Sequence, residues 1–205
     1  MKIMCIGRNY GDHARELGNA LPEAPVIFLK PDSAILAQGM PFFIPEFTRD
    51  LHYEVEVVVR VSRLGKHIAE EFASRYYQEV GIGIDFTARD LQNELKSKGL
   101  PWEKAKAFDG SAAVSRDFLS LEKMGKSAQN LSFELHKNGT PVQRGNTSDM
   151  LFGVDQIISH VSQYMTLKIG DLIFTGTPAG VGPTVSGDVL DCYLEGEKLL
   201  SVRVK

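Results

Sequence analysis

Two glutamates, Glu54 and Glu56, alternate with β-branched and aromatic residues along the segment His52–Val59. This pattern favours a β-strand whose apolar face packs in the core and whose other face carries both carboxylates, about 6.5 Å apart. Like charges in that arrangement repel, and burial raises the energetic cost. A divalent cation with oxygen ligands would stabilise them. A solvated outer strand face is the alternative explanation of the same pattern.

A third acid, Asp85, ends a second predicted strand, Val80–Asp85. Alternation places its isoleucines in the core and puts Gly81, Gly83 and Asp85 on the opposite face. Two glycines beside an acid predict open space, as when another group must approach closely.

A helix is predicted directly after Asp85, reaching Lys98, with Thr87 as its N-cap and Asp90 in the capping-box position. Arg89 and Gln92 share one helix face with Lys96. A cation in the first turn opposes the helix dipole. We therefore expect Arg89 to serve an anion rather than the helix.

A histidine and a glutamate, His13 and Glu16, lie three residues apart on a short helix predicted over Asp12–Leu17. Residues at this spacing share a helix face. The carboxylate would raise the pKa of the imidazole and orient it, which is the arrangement of a general base pair. A surface ion pair is the simpler alternative. The surrounding glycines indicate that residues 7–20 form a segment that moves like an active-site lid.

Two lysines and a glycine-rich loop are further candidates. Lys106 lies between alanines in a predicted loop over residues 102–108, an apolar context that would lower its pKa. Lys30 ends the predicted strand Val26–Lys30, where it either binds an anion or is solvated. The loop of residues 176–182 lacks the features of a P-loop or a dinucleotide fingerprint. Its backbone amides and Thr177 suit a carboxylate.

The remaining pattern is rich in strands. It predicts hairpins around Asn138-Gly139 and Gly196, and helices over Ala69–Gln78 and Val154–Tyr164, with Phe72 and Tyr76 facing inward in the first. Helices and strands do not alternate regularly, which argues against a doubly wound fold. We predict a mainly β protein with short helices (α+β), a mixed β-roll or sandwich, in one domain over residues 1–205.

Composition narrows the function class. The chain has 205 residues, of which 43% are hydrophobic and 24% charged, with a net charge of −3. This balance gives no indication of nucleic-acid binding or of an anionic membrane partner, and no apolar run reaches the length of a membrane span. Cys5 and Cys192 lie in apolar strand-like runs, so we expect two buried free thiols and a cytoplasmic location.

Six motifs occur in order along the chain: Gly-Arg-Asn-Tyr-x-x-His-x-x-Glu (7–16), Tyr-Glu-Val-Glu (53–56), Asp-Phe-Thr-Ala-Arg-Asp (85–90), Gly-Leu-Pro-Trp with Ala-Lys (99–106), Gly-Asn-Thr-Ser-Asp-Met (145–150) and Gly-Asp-Leu-Ile-Phe-Thr-Gly-Thr-Pro-x-Gly-Val-Gly (170–182). Together they resemble the fumarylacetoacetate hydrolase family, in particular its short branch of acylpyruvate hydrolases and oxaloacetate decarboxylases. The resemblance covers almost the whole chain. Each motif is weak alone, and six in order are specific for the family but not for one substrate.

The resemblance implies a β-rich roll, a homodimer and a set of site residues. It implies that Mg2+ or Mn2+ is held by Glu54, Glu56 and Asp85, and that His13 and Glu16 form a water-activating dyad on the lid. The other implied residues are the catalytic Lys106 and the substrate-contacting Arg8, Lys30, Arg89, Gln92 and Thr177. The sequence departs from the family pattern at Phe86, Asp155 and Ala112-Ala113. The alanine pair would reshape the pocket and therefore affects substrate identity.

Three functions fit these residues. The first is hydrolysis of the C–C bond of acylpyruvates to pyruvate and a carboxylate. The second is oxaloacetate decarboxylation or keto–enol tautomerisation, or an isomerase, decarboxylase or hydratase-like reaction on unsaturated 2-oxo diacids of aromatic catabolism. The third is a catalytically idle dimer that senses 2-oxo acids, against which the water-activating pair argues.

Overall fold

A computed structural model describes residues 1–16, 18 and 20–205 of the chain. Leu17, the predicted last residue of the lid helix, and Asn19 lie outside this description. Among the described residues, no helix has the length and apolar character needed to cross a membrane.

Strands dominate the architecture. The fourteen strands of the described residues are β1 (Ile3–Gly7), β2 (Val26–Lys30), β3 (Leu51–Tyr53), β4 (Val55–Val61), β5 (Tyr77–Asp85), β6 (Thr87–Ala88), β7 (Ala112–Val114), β8 (Leu119–Ser120), β9 (Ser132–Lys137), β10 (Thr140–Asn146), β11 (Leu172–Phe174), β12 (Gly182–Pro183), β13 (Val189–Leu194) and β14 (Glu197–Arg203). The α-helices are α1 (Gly11–Glu16), α2 (Arg89–Ser97), α3 (Glu103–Lys106), α4 (Leu121–Met124) and α5 (Val154–Tyr164), and short 3-10 helices cover Asp32–Ala34, Glu70–Tyr76 and Thr147–Asp149. This composition confirms the predicted class, mainly β with short helices.

The main sheet has the order β2-β1-β11-β4-β5-β7, with β8 also paired to β5. Its strands pair antiparallel except β1 with β11. A second sheet has the order β10-β9-β13-β14, and a small sheet joins β12, β3 and β6. Strands β4 and β5 therefore lie inside the main sheet with a partner on each side, and candidate acids lie at or next to their adjoining ends.

The main core lies where one face of the main sheet meets the second sheet and α5. Val55, Val57 and Val59 of β4 pack there, as the alternation predicted, together with Phe133 of the second sheet and Ile158 of α5. A smaller apolar cluster covers the opposite face. Both cysteines are buried free thiols, as predicted.

One helix prediction and one loop prediction were wrong in detail. The segment predicted as a helix over Ala69–Gln78 is a 3-10 helix that ends at Tyr76, because the following residues pair with β4. Phe72 is 42% exposed rather than inward-facing, whereas Tyr76 does pack against the core. The predicted loop over residues 102–108 contains the short helix α3.

The predicted capping of α2 is also absent. Thr87 lies in β6 opposite His52 of β3, and the helix begins two residues later at Arg89. Asp90 instead accepts hydrogen bonds from Thr48 Oγ1 (2.6 Å) and Arg49 N (2.8 Å). Because Thr87 pairs with β3, it does not cap the helix.

Candidate metal centre and active site

Three buried acids meet at the ends of β4 and β5. Glu54 lies at the break between β3 and β4, Glu56 follows within β4, and Asp85 ends β5. One carboxylate oxygen from each lies within 4.8 Å of the others. The solvated alternative for these glutamates is excluded, because Glu54 is 5% exposed and Glu56 is 2% exposed.

Glu54 is stabilised by two cations. Arg89 donates to its Oε1, and Lys106 Nζ lies 2.8 Å from its Oε2. Burial raises the pKa of this carboxyl, but Lys106 and Arg89 outweigh it and hold the pKa well below its usual range. The predicted anion for Arg89 is thus found within the protein itself.

Glu56 has a different environment. Its Oε2 accepts a hydrogen bond of 2.6 Å from the backbone N–H of Gly176. Burial and the neighbouring Asp85 and Glu54 raise its pKa well above its usual range. Gly176 has φ +104°, and a Cβ there would lie 2.7 Å from the Cβ of Asn9, so only glycine fits this position.

Lys106 forms ion pairs with two of the three acids. Its Nζ lies 2.7 Å from Asp85 Oδ2 and donates to Thr87 Oγ1 at 2.6 Å, besides its contact with Glu54. Burial lowers the pKa of this lysine, but Asp85 and Glu54 raise it by more, so the pKa is raised. The sequence-based prediction of a lowered pKa was wrong, because it counted the apolar neighbours in sequence and not the acids brought in by the fold.

Lys30 is fully buried rather than solvated. Its Nζ donates to the Lys106 carbonyl and to Ser111 Oγ at 2.9 Å. It also lies 2.7 Å from Asp85 Oδ1, without hydrogen-bond geometry to that atom. Lys30 is not among the residues that line the cavity described below, and its position suits holding Asp85; its contact with substrate stays a prediction.

Helix α1, in the segment predicted to act as a lid, brings His13 to the same place. His13 Nδ1 lies 3.5 Å from Glu16 Oε2, and the carboxylate of Glu16 accepts a hydrogen bond from Gly180 N at 3.2 Å. Burial lowers the pKa of His13 and outweighs the neighbouring acids Glu54 and Glu16. The expected rise from Glu16 alone therefore does not decide the pKa, and neutral imidazole is favoured.

A single cavity joins these groups. It is lined by Ile6, Gly7, Arg8, His13, Phe28, Glu54, Glu56, Asp85, Arg89, Gln92, Lys96, Trp102, Lys106 and Thr177. Within it Arg89 donates to Gln92 Oε1 at 2.6 Å. Apart from Glu16 and Lys30, every candidate site residue from the sequence lines this cavity.

The glycines of β5 do not make room for a ligand. A Cβ at Gly83 would lie 2.7 Å from a ring carbon of Phe174, and one at Gly81 would lie 2.6 Å from Ser115 Oγ. The space that the sequence predicted is filled by side chains of the protein. Glycine at these two positions lets β5 pack closely against Phe174 and Ser115.

A family model, fumarylacetoacetate (FAA) hydrolase C-terminal, matches residues 2–205. The chain belongs to the fumarylacetoacetate hydrolase family. It is 44% identical over 203 residues to a bovine protein named oxaloacetate tautomerase FAHD1, mitochondrial, covering 99% of this chain and 90% of that protein.

Solved structures of the family share the fold. A fumarylacetoacetate hydrolase family protein from Yersinia pestis CO92 is similar with a TM-score of 0.94 and 39% identity, covering all of this chain and 93% of that one. A fumarylpyruvate hydrolase from Pseudomonas aeruginosa, solved in complex with Mn2+ and pyruvate, has a TM-score of 0.92 and 34% identity, covering 100% and 89%.

The three acids fit the divalent ion that the family implies. All three donors are carboxylate oxygens, the type preferred by hard cations such as Mg2+ and Mn2+. They converge within 4.8 Å of one another. Glu56 has neighbouring acids and, among the described residues, no contacting cation, and its raised pKa reports the unfavourable charge. An added positive charge would stabilise this arrangement.

Sequence reasoning overlooked Gln143, which is 1% exposed. Its Oε1 accepts from Val55 N (2.9 Å), and its Nε2 donates to Thr177 Oγ1 (2.8 Å) and to Pro178 O (2.9 Å). It thereby ties the glycine-rich loop to β4. A single glutamine in a hairpin strand gives no signal of this role.

Asn9, which belongs to the motif of residues 7–16, fixes the start of the segment predicted as a lid. Its Nδ2 donates to Thr175 O (2.8 Å) and Phe152 O (3.0 Å), and its Oδ1 accepts from Phe152 N (2.9 Å). Fully buried, it satisfies three backbone groups from two distant segments. The segment predicted as a lid is therefore fixed to the rest of the fold at Asn9.

Proposed function

We propose that this protein is a divalent-metal-dependent enzyme acting on short 2-oxo and 2,4-dioxo acids, and that it hydrolyses the C–C bond of acylpyruvates to pyruvate and a carboxylate. The observation that carries the proposal is that His13 of the lid lines the same cavity as the three converging acids. A binding protein needs the acids but not a neutral, buried base above them.

The acids would hold Mg2+ or Mn2+, which supplies Lewis acidity towards the carboxylate and 2-oxo oxygens of the substrate. Gln92, Arg89 and Thr177 line the cavity beside the acids and are placed to bind the carboxylate end. Arg89 is already ion-paired with Glu54, so it offers its remaining N–H groups.

His13 is the proposed general base. Nδ1 is the ring nitrogen near Glu16, 3.5 Å from its Oε2 and without a hydrogen-bond partner among the described residues, so Nε2 is the atom proposed to take the proton of the attacking water. The hydroxide formed attacks the distal carbonyl carbon, and the positive charge of Lys106 in the cavity wall stabilises the negative charge that develops. The bond from the acyl carbon to C3 then breaks, and its electron pair passes to C3 of the pyruvate product, which takes up a proton.

Oxaloacetate tautomerisation or decarboxylation is the second candidate. The named activity of the bovine relative, 44% identical over 99% of this chain, favours it. Tautomerisation moves a proton between C3 and the 2-oxo oxygen, and decarboxylation leaves an electron pair at C3. Both reactions develop the same charge as the hydrolysis and can use the same cations.

Turnover of acetylpyruvate and of oxaloacetate with Mg2+, with and without a chelator, tests the proposal. We expect chelator-sensitive turnover with products that identify the reaction. Unsaturated 2-oxo diacids in the same panel test the isomerase alternative. Saturable binding with no turnover of any member would leave the 2-oxo acid sensor.

We also propose a homodimer located in the cytoplasm. Exposed apolar side chains support an assembly surface, among them Met40, Phe43 and Phe47, which are 55%, 62% and 53% exposed. The two free thiols support a reducing compartment.

A further inference from the structure

Within the described part of the chain, two cations of the cavity have no acidic partner. We propose that Arg8 and Lys96, both within about 6 Å of the Trp102 ring centroid, form a subsite that binds the second carboxylate of a 2-oxo diacid. The inference rests on the proposed function, because the first carboxylate and the 2-oxo group are taken to lie at the acid cluster.

Trp102 brings the two cations together. The Arg8 guanidinium carbon lies 5.9 Å from the centroid of its ring, and Lys96 Nζ lies 5.5 Å from the same centroid. Cations at such distances are attracted to the ring face. Phe28 packs on the same indole at 5.9 Å between centroids and also lies 5.3 Å from Lys106 Nζ. Phe28 therefore contacts both the indole that carries the two cations and the lysine of the acid cluster.

The cations of the cavity divide into two kinds. Arg89 and Lys106 make ion pairs with the acids, and Lys30 lies against Asp85 from outside the cavity. Among the described residues, the side chains of Arg8 and Lys96 make neither an ion pair nor a hydrogen bond, and the buried Nε of Arg8 lacks an acceptor. Buried donors are normally satisfied, so an unpaired one indicates a ligand.

Charge balance points the same way. Three carboxylates of the cluster face five cations, counting Lys30, and a divalent ion would add further positive charge. Burial, followed by Arg89 and Arg8, lowers the pKa of Lys96 to about 8. A carboxylate bound beside Lys96 would favour its charged form and so raise this pKa.

Backbone strain also marks the subsite. Arg8 has φ +59°, a left-handed conformation that costs energy for a residue other than glycine or asparagine. It comes directly before Asn9, which fixes the base of the lid. The strained turn holds the guanidinium in the cavity.

The subsite selects substrates by charge. Oxaloacetate and fumarylpyruvate carry a second carboxylate, whereas acetylpyruvate ends in a methyl group. Charge-assisted hydrogen bonds to Arg8 and Lys96 would favour the diacids by about tenfold or more.

Trp102 is the only tryptophan of the chain, so its fluorescence reports ligand at the subsite without turnover. The Mg2+-loaded protein is titrated with 2-oxoglutarate and with 2-oxopentanoate, which differ by a carboxylate in place of a methyl group. We expect the dianion to bind at least tenfold more tightly. Lys96→Met should reduce that preference about tenfold, and Lys96→Arg should keep it.

Lys98→Met is the matched control, because Lys98 lies just beyond the same helix, exposed and paired with Glu94. It should keep the wild-type preference. A wild-type preference near one, or a preference unchanged in a folded Lys96→Met variant, would overturn the subsite. If wild-type protein turns over no 2-oxo acid but shows a Lys96-dependent preference, the enzymatic proposal fails while the subsite stands.

Discussion

The two walls of the cavity are built differently. The strand wall is formed by Glu54 just before β4, Glu56 within β4 and Asp85 at the end of β5. These two strands pair along a ladder, and Lys106 forms ion pairs with Glu54 and Asp85. The lid wall, formed by His13 and Glu16, lies on the six-residue helix α1 and is tied across to the rest of the protein by the Gly180 N–H. Converging buried charges require fixed backbone, whereas a base that meets substrate gains from an element that can open and close.

The strongest test of the strand wall is Glu56→Gln. It removes a charged oxygen ligand, and we expect divalent-dependent turnover to be abolished while the fold remains. Turnover against Mg2+ concentration measures it. Glu79→Gln, in the same strand β5 as Asp85 but half-exposed and paired with Arg60, is the control and should behave as wild type. Full activity of Glu56→Gln, or of wild type in chelator, would contradict a metal at this wall.

The corresponding test of the lid wall is His13→Ala. Positioned acid–base groups contribute roughly 10²–10⁴-fold, so hydrolysis of acetylpyruvate should fall by that factor. Metal binding should persist, because the strand wall is intact. His160→Ala, on α5 against Tyr164, serves as the control. Hydrolysis unchanged in His13→Ala would remove this residue from the mechanism.

A pH profile tests the lid wall without a mutation. The base must be neutral, and burial lowers the pKa of His13 below 6.5. Activity should therefore be retained at pH 6.5 and fall only at lower pH, as the imidazole becomes protonated. The acid limb of kcat/KM against pH measures this. A limb centred above pH 6.5 would contradict the lowered pKa of His13.

The smallest expected effect concerns the packing around one glycine in each wall. Gly83→Ala places a Cβ 2.7 Å from Phe174, and overpacking of this kind costs about 1–3 kcal/mol in the free energy of unfolding. Gly11→Ala in α1 meets its nearest atom at 3.6 Å and should not destabilise. Urea unfolding of both variants is the measurement. Equal losses would mean that the two walls are packed alike.

Much of this molecule was readable in the chain. Alternation located β4, β5 and the acids, and periodicity gave the bounds of α5 as observed, Val154–Tyr164. These features are local, since side-chain direction follows from the period of a strand or helix. The mobility of residues 7–20 and the single-domain organisation stay predictions.

What the fold alone decided was the partner of each charged group. Lys106 is apolar in its sequence context, yet β4 and β5 bring Glu54 and Asp85 to it and raise its pKa. Lys30 and Gln143 are buried and form hydrogen bonds with residues distant in the chain. Thr87 is a strand residue whose hydroxyl accepts a hydrogen bond from Lys106. Electrostatic and hydrogen-bond energies depend on distances between residues far apart in the chain. A sequence determines which groups are present and which face they take, but only the packed strands determine which charges meet.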